Sequence, residues 1–303
     1  MKSGTDWQQV TRLVSVIFVL WSSLSLRGEA RELVDQSGYR VALVERPLRI
    51  VTTAPSLAEV AGDLLVDGLD RIVGVSEHTT FPPSLTKRTS VGPFFKLNLE
   101  RILALKPDLI LATKDGNSRE EIRQLRELNL PVVVVSTSSL GEVSRSMELI
   151  GEALGVPDRG KRMSGQLNAG LDAFRKRASN RKNNPSILIQ IGMDPLVVAG
   201  GNSFVSDAVS VLGVKNIYQA AEQPYPRPSL EDAVMKSPDV ILIVAMSSNV
   251  HELQSSEGKK WLAFNRVSAV KEKRIYVLPG DRILRPSLGL LEGLASVERT
   301  LFP

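Results

Sequence analysis

Short apolar runs bounded by turn residues alternate along this chain with stretches whose apolar positions recur every three or four residues. That alternation predicts strands and helices in turn, and with them a mostly parallel sheet covered by helices. Residues 49–53 read as a strand ending at Pro55, and Ser56-Leu57-Ala58-Glu59 as a capping box opening a helix to about Val66. A strand over 72–75 and a turn-rich segment from Ser76 to Pro93 come next, then a helix over 98–105, a strand over 108–112, a helix over 118–128 and a strand over 131–135. Between about 140 and 180 no strand pattern occurs. A helix runs to Leu154, breaks at Gly155-Val156-Pro157, and a long helix continues from about Asp158 to Ala178. Its helix-forming composition predicts a stiff rod and lobes that move little against each other. Strands over 186–191, 239–244 and 274–278 follow, with helices over 203–211 and 229–236 and a terminal helix over 286–302.

Two stretches 131 positions apart repeat one pattern. Asn98-Leu99-Glu100 leads to Lys106-Pro107-Asp108 and an apolar run, and Ser229-Leu230-Glu231 leads to Ser237-Pro238-Asp239 and another. In each copy a capping residue opens a short helix, a carboxylate sits in its first turn, a proline ends it and a buried strand follows. The repeat predicts two similar lobes with Glu100 and Glu231 at equivalent places. Paired surface acids suit docking onto a two-fold partner, and each is also favoured locally by the helix dipole.

The first residues stand apart. Lys2 and Arg12 precede an apolar run over 13–21 that trails to small residues near Gly28 and Ala30, the pattern of a cleavable signal peptide. The run is shorter than the roughly 20 residues that span a bilayer. No cysteine occurs, which excludes disulfides, thiolate metal sites, a cysteine nucleophile and a Cys-linked lipid anchor. Export without a lipid anchor makes the periplasm the expected compartment. The formal charge of +5 falls to +4 without residues 1–30. The basic clusters at Arg175-Lys176-Arg177 and Arg181-Lys182 lie in a helical stretch without interleaved aromatics, so they read as a solvated face and nucleic acid is not an expected partner.

At 303 residues and 43% hydrophobic, the chain is long enough for two domains. The expected divisions are a signal peptide over 1–30, an N-terminal extension over 31–47, an N-terminal α/β lobe over 48–139, connecting helices over 140–182 and a C-terminal α/β lobe over 183–303. In such sheets ligands sit beyond the carboxyl ends of the strands. The qualifying loops are Ala54–Ser56, Ser76–Phe81, Thr113–Asn117, Gly192–Gly201 and Gly280–Arg285.

Only two histidines exist, His78 and His251, too few for a site of three or four His and carboxylate ligands. His78, beside Glu77 on a cleft loop, could supply one axial ligand to a metal already held in a macrocycle; the plainer alternative is a solvent-facing loop histidine. His251 reads as a surface residue. No Gly-x-Ser-x-Gly elbow occurs, and Ala199-Gly200-Gly201-Asn202 lacks the Lys-Ser/Thr of a P-loop, so no enzymatic reaction and no catalytic cofactor are expected, a non-transport enzyme with a cleft site being the distant alternative. Pro93-Phe94-Phe95 and Pro224-Tyr225-Pro226 hold rings in restricted backbone shapes, suited to stacking on a flat ligand or to packing on their own lobe.

Residues 98–109, Gly116-Asn117, Gln124-Leu125, Gln190-x-Gly192 with Asp194-Pro195, and Pro224-Tyr225-Pro226 before Ser229-x-Glu231 resemble the helical-backbone (class III) family of periplasmic solute-binding proteins. The likeness runs from about Arg49 to the C-terminus and is nearest to the cobalamin-binding members, which feed ABC importers. Other members carry haem or ferric siderophores. The resemblance implies two three-layer α/β/α lobes joined by one long backbone helix, with cobalamin or another corrinoid as transported ligand in the cleft. It implies a permease dimer of the inner membrane as partner, docked through Glu100 and Glu231, and a chain that is monomeric when free. Ligand-lining positions carried over are Pro55, His78, Phe94, Thr113, Tyr225, Asp281 and Arg285. Where the cobalamin proteins have Tyr this chain has His78, and where they have Trp it has Phe94, Thr113 and Tyr225. Asp281 and Arg285 offer polar contacts to macrocycle side groups, or pair with each other across one turn.

Overall fold

The computed structural model describes residues 31–245 and 250–303. The segment read as a signal peptide and the side chain of His251 lie outside the described residues. In the expected extension, an antiparallel hairpin forms from β1 (Arg31–Val34) and β2 (Arg40–Leu43). Its turn is organised by Asp35, whose Oδ1 accepts the amides of Ser37 and Tyr39 at 2.9 and 3.0 Å. Oδ2 accepts the Val134 amide at 2.9 Å and the Arg126 guanidinium at 2.6 Å, fastening the hairpin to the first lobe.

That lobe contains β3 (Ile50–Thr52), α1 (Pro55–Leu64), β4 (Ile72–Val75), β5 (Thr89–Ser90), α2 (Leu99–Ala104), β6 (Leu109–Thr113), α3 (Arg119–Glu127) and β7 (Val132–Val135). Its five parallel strands run in the order β5-β4-β3-β6-β7. Two helices follow, α4 (Leu140–Ala153) and α5 (Pro157–Ser179). The second lobe contains β8 (Ser186–Met193), β9 (Leu196–Val198), α6 (Phe204–Ser210), β10 (Lys215–Asn216), α7 (Leu230–Lys236), β11 (Val240–Ala245), α8 (Val250–Leu262), α9 (Ser268–Lys271), β12 (Ile275–Pro279) and α10 (Leu290–Leu301). Strands β10-β8-β11-β12 are parallel, and β9 folds back antiparallel on β8. The fold is therefore α/β, with two lobes joined through a long helix.

The rod is part of the core. Leu167 and Leu171 of α5 belong to one apolar cluster that takes in Ile50 and Leu57 from the first lobe and Ile187 and Val240 from the second. The outer faces of the sheets bury separate clusters, around Ile102 and Leu125 in one lobe and around Leu188 and Trp261 in the other. Helices α4 and α5 touch backbone to backbone: a Cβ on Gly151 would meet the Gly160 Cα at 2.7 Å. The buried hydroxyls of Ser144 and Ser164 bond at 2.7 Å within the same helix pair. Among the described residues no helix is long and apolar enough to cross a membrane.

The repeat is a structural repeat. Asn98 Oδ1 accepts the Arg101 amide at 2.9 Å, and Ser229 Oγ accepts the Asp232 amide at 3.1 Å. Past each helix, Lys106 and Ser237 take left-handed conformations, with φ of 45° and 42°.

Two local readings need correction. The Ser56–Glu59 capping box does not form: α1 starts at Pro55, its N-cap Ala54 has no side-chain bond, and it ends at Leu64. Proline at the first position already supplies the preset φ and lacks the amide that a cap would satisfy. Glu59 is instead 3% exposed and bonded to residues of the second lobe's C-terminal segment. The terminal helix begins at Leu290, because residues 280–289 are spent on a 3-10 turn and the connection after it.

Candidate functional site

Loops that follow the strands of one lobe meet loops from the other along a seam. At its base, Arg282 Nη1 and Ser287 Oγ donate to Glu59 Oε1 at 2.9 and 2.8 Å, and the Arg282 guanidinium lies 4.2 Å from the Phe81 ring centre. Arg285 Nη1 donates to Thr80 Oγ1 at 2.7 Å, and its Nη2 to Asp281 Oδ1 at 2.9 Å. The Leu140 amide donates to Asp207 Oδ2 at 2.7 Å, a further bond between α4 and the second lobe.

On the first lobe, Asn117 organises the wall. Its Oδ1 accepts from Thr53 Oγ1 at 2.7 Å and from the Thr113 amide at 2.8 Å, while Nδ2 donates to the Phe94 carbonyl at 2.6 Å. One buried side chain thus gathers the ends of β3 and β6 and the Phe94 loop. Thr113, last residue of β6, belongs to this group, and Pro55, first residue of α1, follows two positions after Thr53. Thr113 is 5% exposed and its Oγ1 accepts the Asp115 amide at 3.2 Å, so its hydroxyl shapes the loop. Phe94 is half-buried against the core, with its ring over Gly116, where a Cβ would come within 2.7 Å. Phe95, edge-on to it at 5.5 Å, is the exposed ring.

The second lobe presents Tyr225 from a strap laid along β9. The Val198 amide donates to the Pro226 carbonyl at 3.1 Å and the Gly200 amide to the Pro224 carbonyl at 2.8 Å. Close approach here requires glycine: a Cβ on Gly200 would lie 2.3 Å from the Gln223 carbonyl oxygen, and one on Gly201 1.9 Å from that of Gln219. The stretch Ala199–Asn202 is the shelf under this strap. Tyr225 keeps 44% of its surface open, yet burial among neighbouring atoms pushes its hydroxyl pKa up, and the negative charge of Asp115 in the opposite lobe adds to the shift. Tyr225 thus lies within electrostatic reach of Asp115 in the first lobe.

The sequence-predicted residues fall into three groups. Phe94 and Thr113 are bonded to Asn117, Pro55 follows two positions after Thr53, whose hydroxyl bonds the same side chain, and Tyr225 lies within electrostatic reach of Asp115. Asp281 and Arg285 pair with each other and reach the loop that carries His78. His78 has φ of 65°, is 77% exposed at its side chain, and lies 3.8 Å from Glu77. Glu100 and Glu231 lie outside the seam, exposed in the first turns of α2 and α7. Sequence reasoning named the loops that hold Thr80, Asp115, Asn117 and Arg282, and placed Glu59 in a capping box, but missed the bonds these side chains make. Among the described residues no group of three or more His, Asp or Glu side chains is arranged to hold a metal ion.

A family model described as periplasmic binding protein matches residues 50–282. The vitamin B12-binding protein of Vibrio cholerae is 29% identical over 252 residues, covering 82% of this chain and 87% of that protein. The crystal structure of the periplasmic vitamin B12-binding protein BtuF of V. cholerae superposes with a TM-score of 0.74 at 28% identity, covering 84% of this chain and 96% of that one. The periplasmic heme-binding protein RhuT of Roseiflexus sp. RS-1 superposes with a TM-score of 0.72 at 25% identity, covering 84% and 97%.

Proposed function

Because this chain belongs to the periplasmic binding protein family, we propose that it is the solute-binding component of an ABC importer, taking cobalamin or a related corrinoid between its lobes. It delivers this cargo to an inner-membrane permease dimer without chemical turnover. The observation that carries the reading is the seam where loops of the two lobes meet, bonded through Arg282 with Glu59 and Arg285 with Thr80, with Phe94 and Thr113 gathered on Asn117 beside it. A flat macrocycle entering there would gain ring contacts and burial of its edges. The likeness to vitamin B12-binding proteins supports a corrinoid. The N-terminal segment acts as a signal peptide, the protein works in the periplasm as a monomer, and Glu100 and Glu231 are its docking acids.

Calorimetric titration of the purified protein with cobalamin, cobinamide and haemin tests the cargo. Saturable corrinoid binding that weakens about tenfold in Tyr225→Ala is expected, the loss of one well-packed ring being worth 1–2 kcal/mol. Binding of haemin alone would overturn the corrinoid.

Haem is the second reading, favoured by the exposed His78 imidazole and by the heme-binding relative. A Soret shift on adding haemin that disappears in His78→Ala is its signature. A ferric siderophore has less support. It would call on loop arginines, Arg282, Arg285 and Arg227, and the first two are already engaged with Glu59, Thr80 and Asp281.

A further inference from the structure

Met235 is 85% exposed, more than any other large apolar side chain among the described residues. It lies four positions after Glu231 in α7, on the same helix face one turn along. In the other copy of the repeat, Leu103 lies three positions after Glu100 and is 40% exposed. In repeat register the third and fourth positions after each acid are Leu103-Ala104 and Val234-Met235, apolar in both copies, with the large exposed side chain exchanged from the third position to the fourth. Val234 packs against the second lobe's outer core, which leaves Leu103 and Met235 as the exposed large apolar side chains beside the two acids. The flanking charges are not repeated. Arg101 follows Glu100 and reaches the Ser90 carbonyl at 3.3 Å, whereas Asp232 follows Glu231 and accepts the Tyr218 hydroxyl at 2.8 Å.

We propose that each docking surface is an acid joined to an apolar anchor, Glu100 with Leu103 and Glu231 with Met235. The inference rests on the docking role given to the two glutamates and names the chemistry of the partner. Each membrane subunit of the importer presents a cation beside an apolar hollow. The second knob is the stronger of the two, because Met235 has more surface to remove from water and its unbranched side chain adapts to an irregular hollow.

The test is binding of the full-length mature protein to the cognate ABC importer in nanodiscs, at low and high salt. Met235→Ala should weaken docking about tenfold and Leu103→Ala about threefold, with cargo affinity and melting temperature unchanged. These losses should persist at high salt, while the loss in Glu231→Gln shrinks as the charges are screened. Wild-type docking by Met235→Ala and Leu103→Ala, with weakened Glu100→Gln and Glu231→Gln, would overturn the anchors and leave the docking acids standing. Wild-type docking by the glutamate variants would remove the docking reading itself. Self-association of the wild type that Met235→Ala abolishes in sedimentation velocity would assign the surface to a second copy and overturn the proposal.

Discussion

In the first lobe Asp108 accepts the amides of Leu48 and Arg49 at 2.8 and 2.7 Å, tying the end of the α2 turn to the start of β3. In the second, Asp239 accepts the amide and hydroxyl of Ser186 at 2.9 and 2.8 Å and so ties the α7 turn to the start of β8. The joints match down to the left-handed residue two places before each aspartate. The cleft loops do not match. Asn117 gathers one wall, whereas the other depends on two glycines, the β8–β9 hairpin, and Asn216, which donates to the Ala199 carbonyl at 2.8 Å. The repeated part is the end of each lobe that carries the exposed first-turn acid, and the unrepeated part is the loops of the seam. A two-fold partner asks for equal knobs, while an asymmetric cargo asks for unlike walls.

Breaking the tie between the lobes should give the largest effect. Arg282→Ala leaves the buried Glu59 carboxylate uncompensated and should cost about 3 kcal/mol. Urea unfolding checks it, and Glu59→Gln in the same chain should recover part of the loss.

The unlike walls come next. Gly201→Ala drives a methyl into the Gln219 carbonyl and should cost about 2 kcal/mol while displacing the Tyr225 strap. Asn117→Ala strands donors and acceptors on the opposite wall, at about 2 kcal/mol. Both variants should lose cargo affinity, read by thermal melts and titration in parallel.

The matched joints sharpen the comparison from the other side. Asp108→Asn and Asp239→Asn should each cost about 1–2 kcal/mol, and by similar amounts. The Ser186 amide and hydroxyl hold the Asp239 carboxyl below the usual carboxylate range, more than offsetting its burial. Its contribution is therefore fully present above pH about 4 and is lost as pH falls through the lowered folded value. The difference between wild type and Asp239→Asn in denaturant melts should shrink on acidification across that window.

The smallest effect is expected at the knobs. Glu100→Ala and Glu231→Ala should each change stability by less than about 0.5 kcal/mol, because exposed first-turn acids contribute little to folding.

What was legible in the sequence was whatever repeats locally. The cap, acid, proline and apolar run of each copy, the rod broken at Gly155-Val156-Pro157 and the Pro-Tyr-Pro strap all depend on neighbours within a few positions. What was hidden depends on distant partners. Ser56-Leu57-Ala58-Glu59 satisfies the local rule for a capping box, yet Glu59 finds Arg282 223 positions away. Asn117 is one polar residue in a loop until three chain segments converge on it. The β1–β2 hairpin has strands of four residues, too short for an alternation to stand out, and is held by Asp35 through Arg126 and Val134.

The central claim, a shared cargo seam carried on two equivalent docking ends, is tested most directly by uptake of labelled cobalamin into proteoliposomes holding the cognate importer. The account predicts that the double variant Glu100→Ala, Glu231→Ala binds cobalamin as the wild type does and delivers almost none. Undiminished uptake by that variant, or no cobalamin binding by the wild type, would contradict it.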